Sequence, residues 1–230
     1  MTHELEKAAA GRAALAEVKE GMVLGLGTGS TVGALLPLLA EQVKGGLDIV
    51  AVPTSKATQR LAASLGIRVI TLDEVETLDL TIDGADEIDP ELNLIKGGGG
   101  ALVREKIVAA SSRRLVIIAD RSKQVATLGA FPLAVEIVPF GASATLRKLA
   151  QLVSHMSRDG RVTLRRQDGE AVVSDNGNLL ADCSFGAIRD PVAVARALAD
   201  MPGVVDHGLF LGMANCVHVG TPQGVVTLHR

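Results

Sequence analysis

Short aliphatic runs alternate with helical patterns through the first half of the chain. Met22 to Gly25, Ile49 to Val52, Leu78 to Ile82 and Leu115 to Ala119 are continuous rather than alternating runs. Continuous runs predict parallel strands covered on both faces. Between them, Val32, Leu35, Leu36, Leu39 and Val43 recur at helical spacing and form one apolar stripe. Pro37 falls inside that stripe and predicts a kink or a late helix start. The strand–helix alternation predicts a doubly wound, mainly parallel α/β sheet over residues 1–127.

The texture changes near Thr127 to Pro132. Val135 to Val138 reads as a strand, and Leu146, Leu149, Ala150 and Val153 form a second helical stripe. Arg161 to Leu164, Ala171 to Val173 and Asn178 to Cys183 read as short strands. Asp168-Gly169 and Asn176-Gly177 lie between them as turn signals. Asp190-Pro191 opens a helix with a capping carboxylate and a proline in the first turn. This order predicts a small α+β domain with an antiparallel sheet over residues 128–205. Residues 206–230 return to apolar strands and are expected to rejoin the first domain.

Composition narrows the function. Only four Phe and no Trp or Tyr occur, so the core must be aliphatic. Stacking of single-stranded bases is excluded for want of rings. The net charge of −3 leaves no global basic footprint for nucleic acid. No apolar run approaches the ~20 residues that span a bilayer. Glu4, Glu6, Glu17 and Glu20 make the N-terminus unlike a targeting peptide. Cys183 and Cys216 stand apart without a CxxC motif, and one close Cys/His pair, Cys216 with His218, cannot fill a zinc site. Unpaired thiols fit a reducing, cytoplasmic setting.

Charge is unevenly placed. Nine acids lie between Asp73 and Glu91, while Lys96 to Lys123 carries seven bases against two acids. This fits either a solvated acidic loop beside a basic helix face or a cleft that binds an anion.

Four polar stretches follow predicted strands. In Gly25-Leu-Gly-Thr-Gly-Ser-Thr31, glycines and a helix N-terminus suit a small anion held by Gly29, Ser30 and Thr31. A tight turn with a Ser/Thr cap fits as well. Ser30 replaces the last glycine of a dinucleotide fingerprint, and no acid ends the second strand, so a nicotinamide cofactor is disfavoured. The lysine of a P-loop is missing too.

The second stretch, Asp83-Gly-Ala-Asp-Glu-Ile-Asp89, turns sharply on Gly84 and Ala85. Asp83 and Asp86 suit one shared site, a solvated acidic turn fits as well, and a magnesium site with Asp89 stays open. The third, Lys96 followed by Gly97, Gly98, Gly99 and Gly100, is too costly in backbone entropy for a spacer. Its N–H groups suit an oxyanion, and Glu105 on the following helix suits either a general base or an i,i+4 surface ion pair. The fourth, Asp120-Arg-Ser-Lys123, offers Lys123 as a phosphate cation, and an ordinary surface lysine fits as well.

These residues, with Pro53-Thr-Ser55 and Arg104-Glu-Lys-Ile107, make the chain resemble the type A ribose-5-phosphate isomerase family. Ser174-Asp-Asn-Gly-Asn178, Asp182-Cys183 and Pro202 to Met213 carry the same resemblance through the later chain. The resemblance implies a Rossmann-like catalytic domain with a smaller ferredoxin-like or ACT-like α+β domain inserted. It implies interconversion of D-ribose 5-phosphate and D-ribulose 5-phosphate through an enediolate, in the pentose phosphate pathway. No cofactor and no metal is implied.

By the same resemblance, Glu105 is the base, while Asp83 and Lys96 open the furanose and move the hydroxyl proton. Asp86 positions sugar hydroxyls. Lys96 and the N–H groups of Gly97, Gly98 and Gly99 hold the enediolate oxygen. Thr28, Gly29, Ser30, Thr31 and Lys123, with Lys7, hold the phosphate, and Gly84 and Ala85 complete the sugar-binding set. A homodimer or homotetramer is implied, with no nucleic-acid or membrane partner. The alternative from another class is a non-enzymatic sugar-phosphate sensor, which would normally carry a helix-turn-helix that the N-terminus has no room for.

Overall fold

The computed structural model describes residues 3–230. In chain order the first elements are α1 (His3–Leu15), β1 (Val23–Leu26), α2 (Ser30–Lys44), β2 (Val50–Pro53), α3 (Lys56–Ser64) and β3 (Leu80–Asp83). Then come β4 (Glu87–Ile88), β5 (Leu94–Ile95), α4 (Leu102–Ala110), β6 (Leu115–Asp120), β7 (Leu133–Ile137) and α5 (Ala142–Met156). The remainder is β8 (Arg161–Leu164), β9 (Arg166–Gln167), β10 (Glu170–Ala171), β11 (Leu179–Ser184), α6 (Pro191–Ala199), β12 (Val204–His207), β13 (Leu209–Phe210), β14 (Cys216–Thr221) and β15 (Gly224–His229).

The chain divides into two compact units. One comprises residues up to Ala85, Arg104–Lys123 and Gly212–Arg230, and the other Asp86–Val103 and Gln124–Leu211. Residues 86–103 and 124–127, expected with the larger domain, group with the second unit, as do residues 206–211. The reason is pairing: β5 lies between β4 and β13, so the chain after the acidic turn builds its own small sheet.

The first unit is built on a six-stranded sheet of order β15-β14-β6-β3-β1-β2. Every pair is parallel except β14 with β15. The all-buried run of β6 explains its unbroken hydrophobicity. Helix α2 buries Val32, Leu35, Leu36, Leu39 and Ala40, each large side chain worth roughly 1.5–3 kcal/mol. Contrary to the expected late start, α2 begins at Ser30 and runs through Pro37. Buried residues on both sides of the proline outweigh the one helical hydrogen bond that it removes. Strand order reverses at β1, since β2 lies on one side and β3 on the other. Open α/β sheets bind ligands outside the carboxyl ends at such a reversal.

The second unit holds a four-stranded antiparallel sheet of order β12-β7-β11-β8. Leu133, Val135 and Ile137 of β7 pack in one cluster with Leu149 and Val153 of α5 and Val194 and Leu198 of α6. Helix α6 starts as expected: the Asp190 side chain accepts from the Ala193 N–H at 2.9 Å. The strand expected over residues 171–173 is shorter. It ends at Ala171, and Val173 keeps only an isolated bridge to Leu179.

Candidate active site

The carboxyl ends of β1, β2, β3 and β6 carry the polar groups of the first unit. After β1, Gly27 donates its N–H to the Ile82 carbonyl at 2.9 Å, which draws the loop against β3. A Cβ at Gly27 would fall onto the Asp83 carboxylate, so only glycine fits there. Buried Asp83 accepts from the Thr28 N–H at 3.2 Å and from the Gly84 N–H at 2.7 Å. Thr31 stands over Gly84, with 3.9 Å between its side chain and the place where a Cβ would sit.

The Thr28 hydroxyl is engaged elsewhere. It meets Thr54 Oγ1 at 2.8 Å, Ser55 Oγ at 2.9 Å and Thr58 Oγ1 at 3.3 Å. Thr58 in turn donates to the Gly27 carbonyl at 2.9 Å. Three hydroxyls after β2 thus brace the loop from behind. Sequence reasoning noted Pro53-Thr-Ser55 as a motif without giving it a role. Its signal is the run of hydroxyl residues directly after a buried strand.

Helix α2 takes Gly29 as its N-cap, and no side chain caps it. The expected Ser/Thr cap is therefore absent, because Ser30 and Thr31 already belong to the helix. The first N–H groups of a helix have no internal partner, and no side chain among the described residues caps them here. They carry the positive end of the helix dipole. Lys7 of α1 donates to Ser30 Oγ at 3.1 Å, which brings an ammonium to this turn. The same ammonium is 2.9 Å from Glu4.

Lys123 follows β6 and is half-buried. It lies in the surroundings of Asp120, together with His3. Burial pushes the Asp120 carboxyl up, but hydrogen bonds from the Ser122 hydroxyl and N–H, with His3 and Lys123 nearby, hold it below its usual value. Glu105 sits in the first turn of α4 and is only 3% exposed.

In the second unit, Lys96 follows β5 and is buried, its ammonium 5.5 Å from the centre of the Phe210 ring. Such a contact favours the cation inside the protein. The glycine run then turns: the Gly100 N–H donates to the Gly97 carbonyl at 3.0 Å. Half-buried Asp86 accepts the Gly98 N–H at 2.7 Å. A Cβ on Gly98 would crowd that carboxylate. This corrects the expectation that all three N–H groups of Gly97, Gly98 and Gly99 face a ligand. Gly98 is committed to Asp86, while the N–H groups of Gly97 and Gly99 have no protein acceptor among the described residues. Arg165, which sequence reasoning missed, donates to the carbonyls of Gly97 and Gly98 at 2.8 and 3.1 Å. Asp182 grips the same guanidinium through Nε and Nη2.

The open magnesium reading loses Asp89. Both of its oxygens are used in its own turn, by the N–H groups of Glu91 and Asn93 and by the Asn93 amide. Cys216 and His218 gain a third neighbour that the sequence did not suggest, Glu17, all within 4.8 Å of one another. Each has a protein contact: His218 meets Glu17 at 2.8 Å and Thr227 at 2.9 Å, and Arg114 lies 2.8 Å from Glu17.

Residues 50–224 match the family model for ribose 5-phosphate isomerase A (phosphoriboisomerase A). A ribose-5-phosphate isomerase A of Rhodopseudomonas palustris (strain HaA2) is 51% identical over 228 residues, 99% of this chain and 98% of the relative. That of Parvibaculum lavamentivorans is 52% identical over 225 residues, 97% of each chain. A solved D-ribose-5-phosphate isomerase in complex with phospho-erythronic acid covers the whole of both chains at 38% identity, with a TM-score of 0.94. The ribose 5-phosphate isomerase of Plasmodium falciparum gives the same TM-score at 39% identity, covering 100% of this chain and 99% of its own. The chain belongs to the ribose-5-phosphate isomerase A family.

Proposed function

We propose that the protein interconverts D-ribose 5-phosphate and D-ribulose 5-phosphate through an enediolate, with no cofactor and no metal, as a step of the pentose phosphate pathway. The observation that carries this reading is the full-length similarity at about half identity to isomerases of that name. A sensor of the same fold would have no need of a buried carboxylate in the first turn of a helix, and Glu105 is such a group.

In the forward direction Asp83 and Lys96 open the furanose by moving a proton from O1 to the ring oxygen. Glu105 then takes the proton from C2. The C2–H pair becomes the C1–C2 double bond of the enediolate, and the carbonyl pair moves onto O1. Glu105 returns its proton to C1, the hydroxyl proton on O2 passes to O1 through Asp83 and Lys96, and the O2–H pair becomes the new C2 carbonyl while O1 ends as a hydroxyl. Negative charge passes over the sugar oxygens during these steps. Lys96 and the open N–H groups of Gly97 and Gly99 suit that charge, while Asp86 orients sugar hydroxyls and holds Gly98.

The phosphate is held by the uncapped turn of Gly29, Ser30 and Thr31 with Lys7 and Lys123. Thr28 serves this site through its bracing contacts. Gly84 and Ala85 supply the adjoining backbone. The proposal extends to a cytoplasmic homodimer or homotetramer. Two free, buried thiols support the reducing compartment. The edge strand β15, with Val225 and Val226 exposed, supports self-association.

The experiment is an isomerase assay on ribose 5-phosphate with wild type and Glu105→Gln, with and without EDTA. Loss of a general base costs ~10²–10⁴-fold, so the variant falls by at least the lower figure while binding is retained. EDTA leaves the wild type unchanged. Near-normal turnover of Glu105→Gln overturns the assignment of the base, and Mg²⁺-dependent recovery after EDTA overturns the metal-free mechanism.

A further inference from the structure

We infer that Arg165, held by Asp182, is a positioning residue that aims the glycine turn at the reacting oxygens. The inference rests on the isomerase reading, because it assigns the donor that meets the enediolate.

Among the described residues every peptide bond is trans, so each C=O points opposite to the N–H of the same peptide group. Arg165 Nη1 binds the Gly97 carbonyl, and the N–H of that peptide belongs to Gly98. That N–H therefore points away from Arg165, and it lands on Asp86 Oδ2. Nη1 also binds the Gly98 carbonyl, and the N–H of that peptide belongs to Gly99. It too points away from the guanidinium, and no protein acceptor takes it among the described residues. One nitrogen thus sets two successive peptide planes. The first serves Asp86 and the second leaves the Gly99 N–H open.

A glycine turn cannot set these planes by itself, since glycine explores more backbone conformations than any other residue. Arg165 supplies what the turn lacks. Its Nε and Nη2 are occupied by Asp182, so Nη1 is fixed in direction. The pair is largely screened from water, with Arg165 15% and Asp182 23% exposed. A charged donor on each carbonyl also polarises the peptide and strengthens its N–H as a donor. Lysine cannot replace this arrangement, because a single ammonium does not fork.

Such a role acts on charge that develops during the reaction, so it should appear in kcat rather than KM. Removing an oxyanion donor outright costs ~10²–10³-fold, and releasing its aim should cost less. The test measures kcat and KM on ribose 5-phosphate for Arg165→Ala, Arg165→Lys, Asp182→Asn and Glu105→Gln. It also measures the affinity of inorganic phosphate for each variant.

The expected result is a kcat about 10- to 100-fold lower in both Arg165 variants, with KM and phosphate affinity within about threefold of wild type. Asp182→Asn, which keeps the shape of the fork but weakens it, falls between. Added guanidinium ion raises kcat of Arg165→Ala and leaves Arg165→Lys unchanged. Turnover of Arg165→Ala within twofold of wild type, beside a disabled Glu105→Gln, overturns the positioning role alone. So does a fall in phosphate affinity that parallels the fall in kcat without guanidinium rescue, since that marks general disruption. Normal turnover in Glu105→Gln sinks the isomerase mechanism itself, whatever the Arg165 variants do.

Discussion

Two glycine-rich loops serve the proposed reaction, and they are built on opposite plans. The loop of Gly27 to Gly29 commits the N–H groups of Gly27 and Thr28 to Ile82 and Asp83 and leaves those at the start of α2 open by omission. It runs into α2 with no capping side chain, and its bracing hydroxyls from Thr54, Ser55 and Thr58 lie on Thr28. The loop of Gly97 to Gly100 is instead assigned donor by donor. Arg165 takes two carbonyls and Asp86 takes one N–H. A phosphate dianion carries its charge throughout the reaction, so a permanent helix terminus suits it. An enediolate carries its charge only in passing, so its donors must be pointed in advance. Glycine content alone does not separate these two duties.

The comparison can be broken at each loop, and the largest effect belongs to Gly27. In Gly27→Ala the added methyl falls on the Asp83 carboxylate. Overpacking of this kind costs ~1–3 kcal/mol, which lowers the melting temperature by several degrees in a protein of this size. Isomerase activity falls at least ~10²-fold, since Asp83 is displaced together with the loop. Calorimetric melting and a turnover assay check both parts. Gly98→Ala strikes the other loop more gently. Its methyl crowds Asp86, so kcat falls about tenfold while phosphate affinity is kept.

Lys7→Ala sharpens the contrast from the other side. The ammonium at Ser30 is lost, so KM rises about tenfold and kcat changes little, because phosphate contacts are equal in ground and transition states. The salt dependence of KM weakens in the same variant.

A smaller effect lies outside both loops. Burial pushes the Glu17 carboxyl up, but the His218 hydrogen bond and the Arg114 guanidinium hold it below its ordinary 4.5. A depressed carboxyl contributes stability above its unfolded value and loses it as pH falls through the folded one. Wild type therefore loses this contribution below about pH 4.5, and Glu17→Gln lacks that part of the acid sensitivity. Denaturant midpoints between about pH 3 and about pH 7 read the difference. The least effect is expected at Cys183, whose thiol is pushed up to about 12 by burial and the Asp182 carboxylate. It stays unmodified by iodoacetamide in the folded protein at neutral pH.

Much of this was legible from hydrophobic pattern. The buried runs of β1, β2, β3 and β6 lie within one or two residues of their expected places, because two-sided burial leaves a continuous aliphatic signature. The carboxyl-edge clustering of Gly29, Asp83 and Lys123 followed from the same runs. What escaped notice lacks a period. Strands β4 and β5 span two residues each, too short for a pattern, so the sequence puts residues 86–103 with the larger domain while their contacts group them with the second unit. Arg165 is an ordinary arginine beside a half-exposed strand, and its carbonyl partners lie 67 and 68 positions away. The commitment of Gly98 to Asp86 depends on peptide direction, which composition does not encode. Helix α2 begins before its proline because packing, not local propensity, decides it.

The two loops present their donors differently, and amide hydrogen exchange reads that difference at each N–H. Exchange is followed by NMR on the full chain, free, with inorganic phosphate, and with phospho-erythronic acid. The account predicts that Gly98 exchanges slowly even in the free protein and that Gly99 exchanges fast. Phosphate alone slows Ser30 and Thr31, and only the acid also slows Gly99. A Gly99 amide that stays fast at saturating acid, or a Gly98 amide as fast as Gly99 in the free protein, contradicts it.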